Sequence, residues 1–273
     1  MLGEEDHSFV RRLLAEHAGV DFNPEQSHLV DSRLASLARR RNLQGPSAIV
    51  DALRKAPSGA LLDSVIDALT THETSFFRDR EPFVALTEQV FPELIRQRRR
   101  RRALSIWSAA CSTGQEPYSV AMLLHEHFPE LQGWRVRILG TDVSRSAVQQ
   151  ARQGCYSERE LQRGVSPRAR EKYFEPAGDA WQIRPFIRSM VSWESFSLTS
   201  AWPALGAFDL VLMRNVLIYF AADTRALILQ RATGHLATDG YLLLGTSEST
   251  FGACDELQPS YLGPATVYRR TST

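Results

Sequence analysis

Three short apolar runs in the second half of the chain, Leu104–Trp107, Val136–Leu139 and Phe208–Met213, end in small or polar residues. Continuous runs of that length suit strands buried on both faces of a parallel sheet. A helical segment begins near Pro117, between the first two runs. After the third, a helix around Asp223–Leu236 leads through Asp239-Gly240 into a further strand, Tyr241–Leu244, and Ala265–Tyr268 reads as a closing strand. Alternation of buried strands with helices predicts a doubly wound α/β sheet over residues 103–273.

The chain ahead of the sheet has a different period. Residues 1–70 read as helical, with Phe9, Leu13 and Leu14 on one stripe and Val30, Leu34 and Leu37 on another. Asn23-Pro24-Glu25 is a helix start, since Asn caps and proline suits the first turn. Gly45-Pro46 breaks the pattern, and two more helices follow, one around Ile49–Leu53 and one carrying Leu61, Leu62, Val65, Ile66 and Leu69. Residues 71–102 join the two parts as a linker and connecting helix. Around 154–193 the strand–helix alternation is interrupted. There Trp181–Arg184 and Ile187–Val191 read as short strands flanking Pro185, a small antiparallel insertion.

Charge narrows the function classes. With a formal net charge of +1 the molecule as a whole is not an obvious polyanion binder, so nucleic acid is not an expected partner. The run Arg98–Arg102 reads as a solvated helix end, which favours cations, or as a contact for an acidic partner. Cys111, Cys155 and Cys254 show no CxxC spacing and read as reduced thiols of a cytoplasmic protein. The acidic N-terminus is unlike a signal peptide, no apolar run is long enough to span a bilayer, and no His or Cys spacing fits a metal.

Ligands of open α/β sheets sit where strands end, and three loops there carry chemistry. In Ala109–Pro117 the small residues admit a ligand to the backbone, while Glu116 favours a cationic ligand over a phosphate; a plain strand–helix turn is the competing reading. Asp142 follows the next strand and either accepts hydrogen bonds from ribose hydroxyls or caps the helix after it. Asn215, beside Arg214, offers a donor and an acceptor. Tyr219 either lies against a methyl-bearing cation or fills the core. A fourth segment, Thr70–Asp79, mixes hydroxyls and charges with Phe76 and Phe77, as a joint between domains would.

Taken together, four segments resemble the CheR family of chemoreceptor glutamate methyltransferases. Thr71–Asp79 is similar to the family's TNETxFFRD, Trp107–Ser119 to WSAACSTGEEPYS, Arg214–Phe220 to RNVLIYF, and Leu244–Ser249 to LGHSES. The motifs appear in family order over residues 70–250. The resemblance implies a Rossmann-like sheet that binds S-adenosylmethionine, an all-helical N-terminal domain and an inserted β-subdomain that docks on receptors. It implies cofactor contacts at His72, Thr74, Arg78, Glu116, Asp142, Ser197, Leu198, Arg214 and Asn215. His72 and Ser197 stand where the family usually has Asn, and weaker cofactor binding is expected from them. Arg33, Arg39, Arg40 and Arg41 are implied to face the acidic helices of methyl-accepting receptors.

The reaction so implied passes a methyl group to a glutamate oxygen, leaving S-adenosylhomocysteine. It needs no general base, because a glutamate carboxylate is already ionised at neutral pH. Tyr219 is the candidate for lining the transfer path. A cytoplasmic monomer, recruited to receptor arrays without entering the membrane, is the expected form. Two rival readings are a nucleic-acid methyltransferase and a non-catalytic homologue that binds the cofactor in a chemosensory-like pathway.

Overall fold

A computed structural model describes residues 1–20, 24–263 and 265–270. The N-terminal part is a cluster of four helices, α1 (Glu4–Ala18), α2 (Ser27–Arg40), α3 (Pro46–Lys55) and α4 (Ala60–Leu69). Each turns one apolar stripe inward: Val10, Leu13 and Leu14 from α1 meet Val30, Leu34 and Leu37 from α2, Ile49, Val50 and Leu53 from α3, and Leu62, Val65, Ile66 and Leu69 from α4. Asn23, read as a cap, lies outside the described residues; a 3₁₀ turn at Pro24–Gln26 precedes α2.

α1 ends at Gly19, whose φ of 70° is left-handed. A Cβ there would stand 2.2 Å from Thr199 and 2.9 Å from the Phe220 ring. The helical domain is therefore seated directly on the loops of the sheet domain, a close approach that only glycine permits.

The linker leads to α5 (Glu81–Ala85), which continues through a π-helical turn into α6 (Phe91–Arg98). Then β1 (Ala103–Ala109), α7 (Gln115–His127), β2 (Arg135–Asp142) and α8 (Arg145–Gln153) begin the sheet domain. Its later elements are β6 (Val191–Ser195), β7 (Phe208–Met213), α12 (Ala222–Gly234), β8 (Leu236–Leu244), β9 (Leu257–Leu262) and β10 (Ala265–Arg270), with the subdomain elements numbered between α8 and β6. The strand order is β6-β2-β1-β7-β8-β10-β9. The first five strands are parallel, and β10 runs antiparallel to both β8 and β9. Alternate residues of β7 serve the two faces: Leu210 and Leu212 enter the core shared with α6 and α7, while Val211 and Met213 enter the core shared with α12. The chain leaves β1 towards β2 and β6, then returns to the other side of β1 as β7. The crevice between β1 and β7 is thus the topological switch point.

The insertion is a three-stranded sheet, β3 (Cys155–Ser157), β4 (Phe174–Ala177) and β5 (Ala180–Ile183), in the order β3-β5-β4, with α9 (Glu158–Gln162) and α10 (Pro167–Tyr173) between β3 and β4. Ile187–Val191 is not a strand. Pro185 opens a short helix, α11 (Pro185–Arg188), with proline at its first turn, and Val191 begins an edge strand of the main sheet. The subdomain is held to α7 through Glu126, which pairs with Lys172 at 2.6 Å and receives the Tyr173 hydroxyl. These donors pull the Glu126 carboxyl down to about 2.

Two other expectations are corrected. Asp239-Gly240 does not join a helix to a strand: β8 starts at Leu236 and runs through both residues, with an irregularity opposite Phe208–Leu210. The Arg98–Arg102 run is not simply a solvated end. Arg98 is buried and donates through Nε to Asp209 at 2.6 Å and through its other nitrogens to Asp239, while Arg101 reaches Asp209 at 2.9 Å. Asp209, 1% exposed, also accepts the Ser105 amide at 2.7 Å. A carboxylate inside a buried strand requires such partners, and the irregularity in β8 brings Asp239 to the second arm of the guanidinium.

Candidate functional site

The loops after β1, β2 and β7 meet over the switch point, and the linker crosses beside them. Together with Ala18, Val20, Leu29 and Arg33 from the helical domain they enclose a cavity. His72, Thr74, Arg78, Glu116, Asp142, Leu198, Arg214, Asn215 and Tyr219 all line it. Residues up to 147 positions apart thus share one chamber, because the loops begin at the carboxyl ends of parallel strands and the linker crosses beside them.

Arg214 is the knot of one wall. Its side chain is 1% exposed and donates to Glu116 at 3.0 Å, to Asp79 at 2.8 Å and to the carbonyl of Arg78 at 3.0 Å. Its Nε is buried with no partner among the described residues. Glu116 turns its other oxygen to the Ser108 hydroxyl at 2.7 Å. The guanidinium therefore joins the linker, β7 and the start of α7. Removing it would leave Glu116 and Asp79 facing each other with their charge uncompensated.

Asp142 governs the opposite wall. One carboxylate oxygen accepts the Ser112 amide at 2.8 Å and the other the Ser144 amide at 2.9 Å. It is not the cap of α8: Ser144 is, accepting the Ala147 amide at 3.0 Å. Each Asp142 oxygen keeps a lone pair for a further donor. Burial pushes its carboxyl above the usual carboxylate value, against the pull of the Ser144 amide. In the same loop, burial raises the Cys111 thiol well above its ordinary range, reinforced by Asp142 and Glu116, so it is an inert thiol.

Asn215 has a φ of 59°, and its conformation is fixed by a residue that sequence reasoning left without a role. Glu248 accepts four backbone amides, from Asn215 at 2.7 Å, Val216 at 2.9 Å, Leu217 at 2.7 Å and Gly245 at 2.7 Å. A carboxylate gathering four amides shapes the loop after β7, which presents Asn215 and Tyr219 to the cavity. Tyr219 ends a 3₁₀ turn, Leu217–Tyr219, whose Leu217 is buried; Tyr219 itself is half-buried and is not core filling. Glu248 lies inside one of the segments singled out in the sequence, as does Asp79. Their position inside those segments was the only available signal.

Other expected site residues are not gathered here. Ser197 is buried, and its hydroxyl lies 2.9 Å from that of Thr199, closing its own turn away from the chamber wall. Arg39, Arg40 and Arg41 are exposed at the far end of α2, and Arg41 bonds the carbonyl of Ala60 at 3.1 Å. Arg33 parts from them. It donates to the carbonyls of Leu69 at 2.8 Å and Thr70 at 3.2 Å, bracing the end of α4 from inside the cavity wall. Among the described residues no cluster of His, Cys, Asp or Glu could hold a metal ion, and no helix is long and apolar enough to cross a membrane.

Comparison with known proteins agrees over nearly the whole chain. The family model "CheR methyltransferase, SAM binding domain" matches residues 72–262, and "CheR methyltransferase, all-alpha domain" matches residues 5–70. The chain is 37% identical over 271 residues to chemotaxis protein methyltransferase Cher2 of Pseudomonas putida, covering 98% of each. It is 38% identical to chemotaxis protein methyltransferase 1 of Pseudomonas aeruginosa, covering 97% of each, and 35% identical to chemotaxis protein methyltransferase 1 of Vibrio cholerae, covering 98% of each.

Proposed function

The chain belongs to the CheR methyltransferase family, and from that premise we propose how its cavity methylates glutamate side chains of methyl-accepting chemotaxis receptors with S-adenosylmethionine. The observation that carries the reading is a chamber at the switch point with the carboxylates of Glu116 and Asp142 in its walls and, among the described residues, no nucleophile–histidine pair. This donor set fits the cofactor. Asp142 has free lone pairs for the two ribose hydroxyls, and the carboxylates suit a ligand that carries positive charge.

When bound, S-adenosylmethionine supplies an electrophilic methyl group on a sulfonium. The acceptor carboxylate is ionised at neutral pH, so the chain need only align it and strip its water. Asp142 orients the ribose. Glu116, held by Arg214 and Ser108, contributes negative charge on the cofactor side. Arg78 and Asn215 flank the same space, Arg78 donating to the carbonyl of Glu73 at 3.0 Å. Tyr219 stands beside the transfer path, where its ring favours a cation and its hydroxyl can steer the acceptor oxygen. Arg39, Arg40 and Arg41 offer an exposed basic end to α2 for the acidic helices of the receptor's cytoplasmic region, and the protein acts there as a monomer.

The deciding experiment incubates the protein with methyl-labelled S-adenosylmethionine and cognate receptors. Label in receptor, released by mild base as an ester releases it, supports the reading. Base-stable label, or transfer to DNA or RNA instead, overturns it. Tyr219→Phe is expected to lower kcat by roughly tenfold while leaving cofactor affinity nearly unchanged, since it deletes only a hydroxyl near the transfer path. Equal turnover would remove that hydroxyl from the mechanism.

A further inference from the structure

Among the described residues lining the cavity, His72 is the only histidine. Its ring is tied at one nitrogen: Nε2 lies 3.1 Å from the carbonyl oxygen of Asp67 and 3.1 Å from the Thr70 hydroxyl. A carbonyl only accepts, and the single Thr70 hydroxyl proton is committed to the carbonyl of Ile66 at 2.8 Å. Nε2 therefore carries the proton and donates to both. Neutral His72 is the Nε2–H tautomer, and no described residue bonds its Nδ1 lone pair. A new proton on this ring has only Nδ1 to occupy.

His72 is also bolted to the carboxylate wall. Its carbonyl accepts the Ser112 hydroxyl at 3.0 Å, and the Ser112 amide donates to Asp142. His72 and Asp142 line the same cavity.

We propose that His72 sets the preference of this site between the sulfonium donor and its thioether product. A neutral ring favours S-adenosylmethionine, and a proton on Nδ1 shifts the preference towards S-adenosylhomocysteine. The inference rests on the reading of Asp142 as the ribose-holding carboxylate. The two ligands share adenine, ribose and amino acid, and differ by one methyl group and one positive charge on sulfur. A single methylene joins that sulfur to the ribose, so a ribose held at Asp142 brings it into the field of the neighbouring imidazole. An imidazolium repels a sulfonium and leaves a neutral thioether unopposed.

The charged groups that share the cavity with the ring are Arg33 from α2, Glu73 and Arg78 from the linker, Glu116 from α7, Asp142 at the end of β2 and Arg214 after β7, and Asp67 of α4 meets the ring through its carbonyl. The carboxylates among them also favour the sulfonium and also lose charge in acid. A variant that cannot titrate at position 72 separates their contribution from that of the ring.

The test is calorimetric titration of both ligands into wild type and His72→Asn at about pH 8 and about pH 5.5, the range over which histidine changes charge. In wild type the ratio of the donor's Kd to the product's Kd is expected to rise on the order of tenfold on acidification. In His72→Asn the rise is expected to fall to about twofold or less. An equal rise in both proteins overturns the proposal and assigns the effect to the carboxylates. If neither ligand binds wild type at either pH, the cofactor reading itself fails. A measurement needing no variant gives the reciprocal readout: the His72 ring, followed by NMR, should titrate at lower pH in the donor complex than in the product complex. Identical midpoints would overturn the proposal equally well.

Discussion

Asp142→Ala is expected to weaken S-adenosylmethionine binding by on the order of 100-fold, the loss of one or two hydrogen bonds to a charged acceptor. The same loss is expected for S-adenosylhomocysteine, because the ribose is common to both. Calorimetry on the two ligands checks this, with circular dichroism confirming that the variant folds. An affinity within a factor of two of wild type would show that the ribose is held elsewhere.

The pH dependence at Asp142 follows from the direction of its shift. Burial raises the carboxyl in the folded state, so the stability it contributes is full below its unfolded value. That contribution is lost as pH climbs through the folded value. Ribose recognition has the opposite sign, since hydroxyl donors need the ionised form. Affinity for both ligands should therefore rise with pH through the elevated Asp142 value, and that rise should vanish in Asp142→Ala. The site holds a charged group where folding alone would favour a neutral one.

Arg98→Ala is expected to destabilise the protein by about 3–5 kcal/mol, the usual consequence of removing one partner from a buried ion pair. Asp209 would keep the Ser105 amide and the half-exposed Arg101, but would lose its buried cation. Asp239 would lose the donor that holds its carboxyl low. For a chain of this size the thermal midpoint should fall by roughly 6–12 °C. Arg98→Lys should restore only part of the loss, because an ammonium cannot span Asp209 and Asp239 as the guanidinium fork does. A midpoint for Arg98→Ala within a degree of wild type would make the network dispensable. The network lies at the opposite end of the sheet from the cavity, so cofactor affinity measured well below the midpoint should not change.

The sheet was legible in the chain because burial on two faces forces long apolar runs, and Phe208–Met213 could satisfy few other environments. The helical domain was legible for the same kind of reason, through stripes such as Val30, Leu34 and Leu37 recurring at helical spacing. The loops that carry chemistry were visible as polar clusters at strand ends. Their order along the chain sufficed to place the family.

Partnership was a matter for the tertiary structure. Arg98 meets Asp209 and Asp239 across 111 and 141 positions, and nothing local distinguishes it from the solvated arginines beside it. Glu248 becomes a four-amide clamp only once β7 and β8 lie side by side. Ile187 has the composition of a strand residue, yet Pro185 and the helical turn it opens prevail. Arg33 shares a helix face with Arg40 but is claimed by the end of α4. Short-range periodicity reports which surface of a segment seeks the core. Which charge answers which depends on contacts between distant segments, and those exist only after the chain has closed on itself.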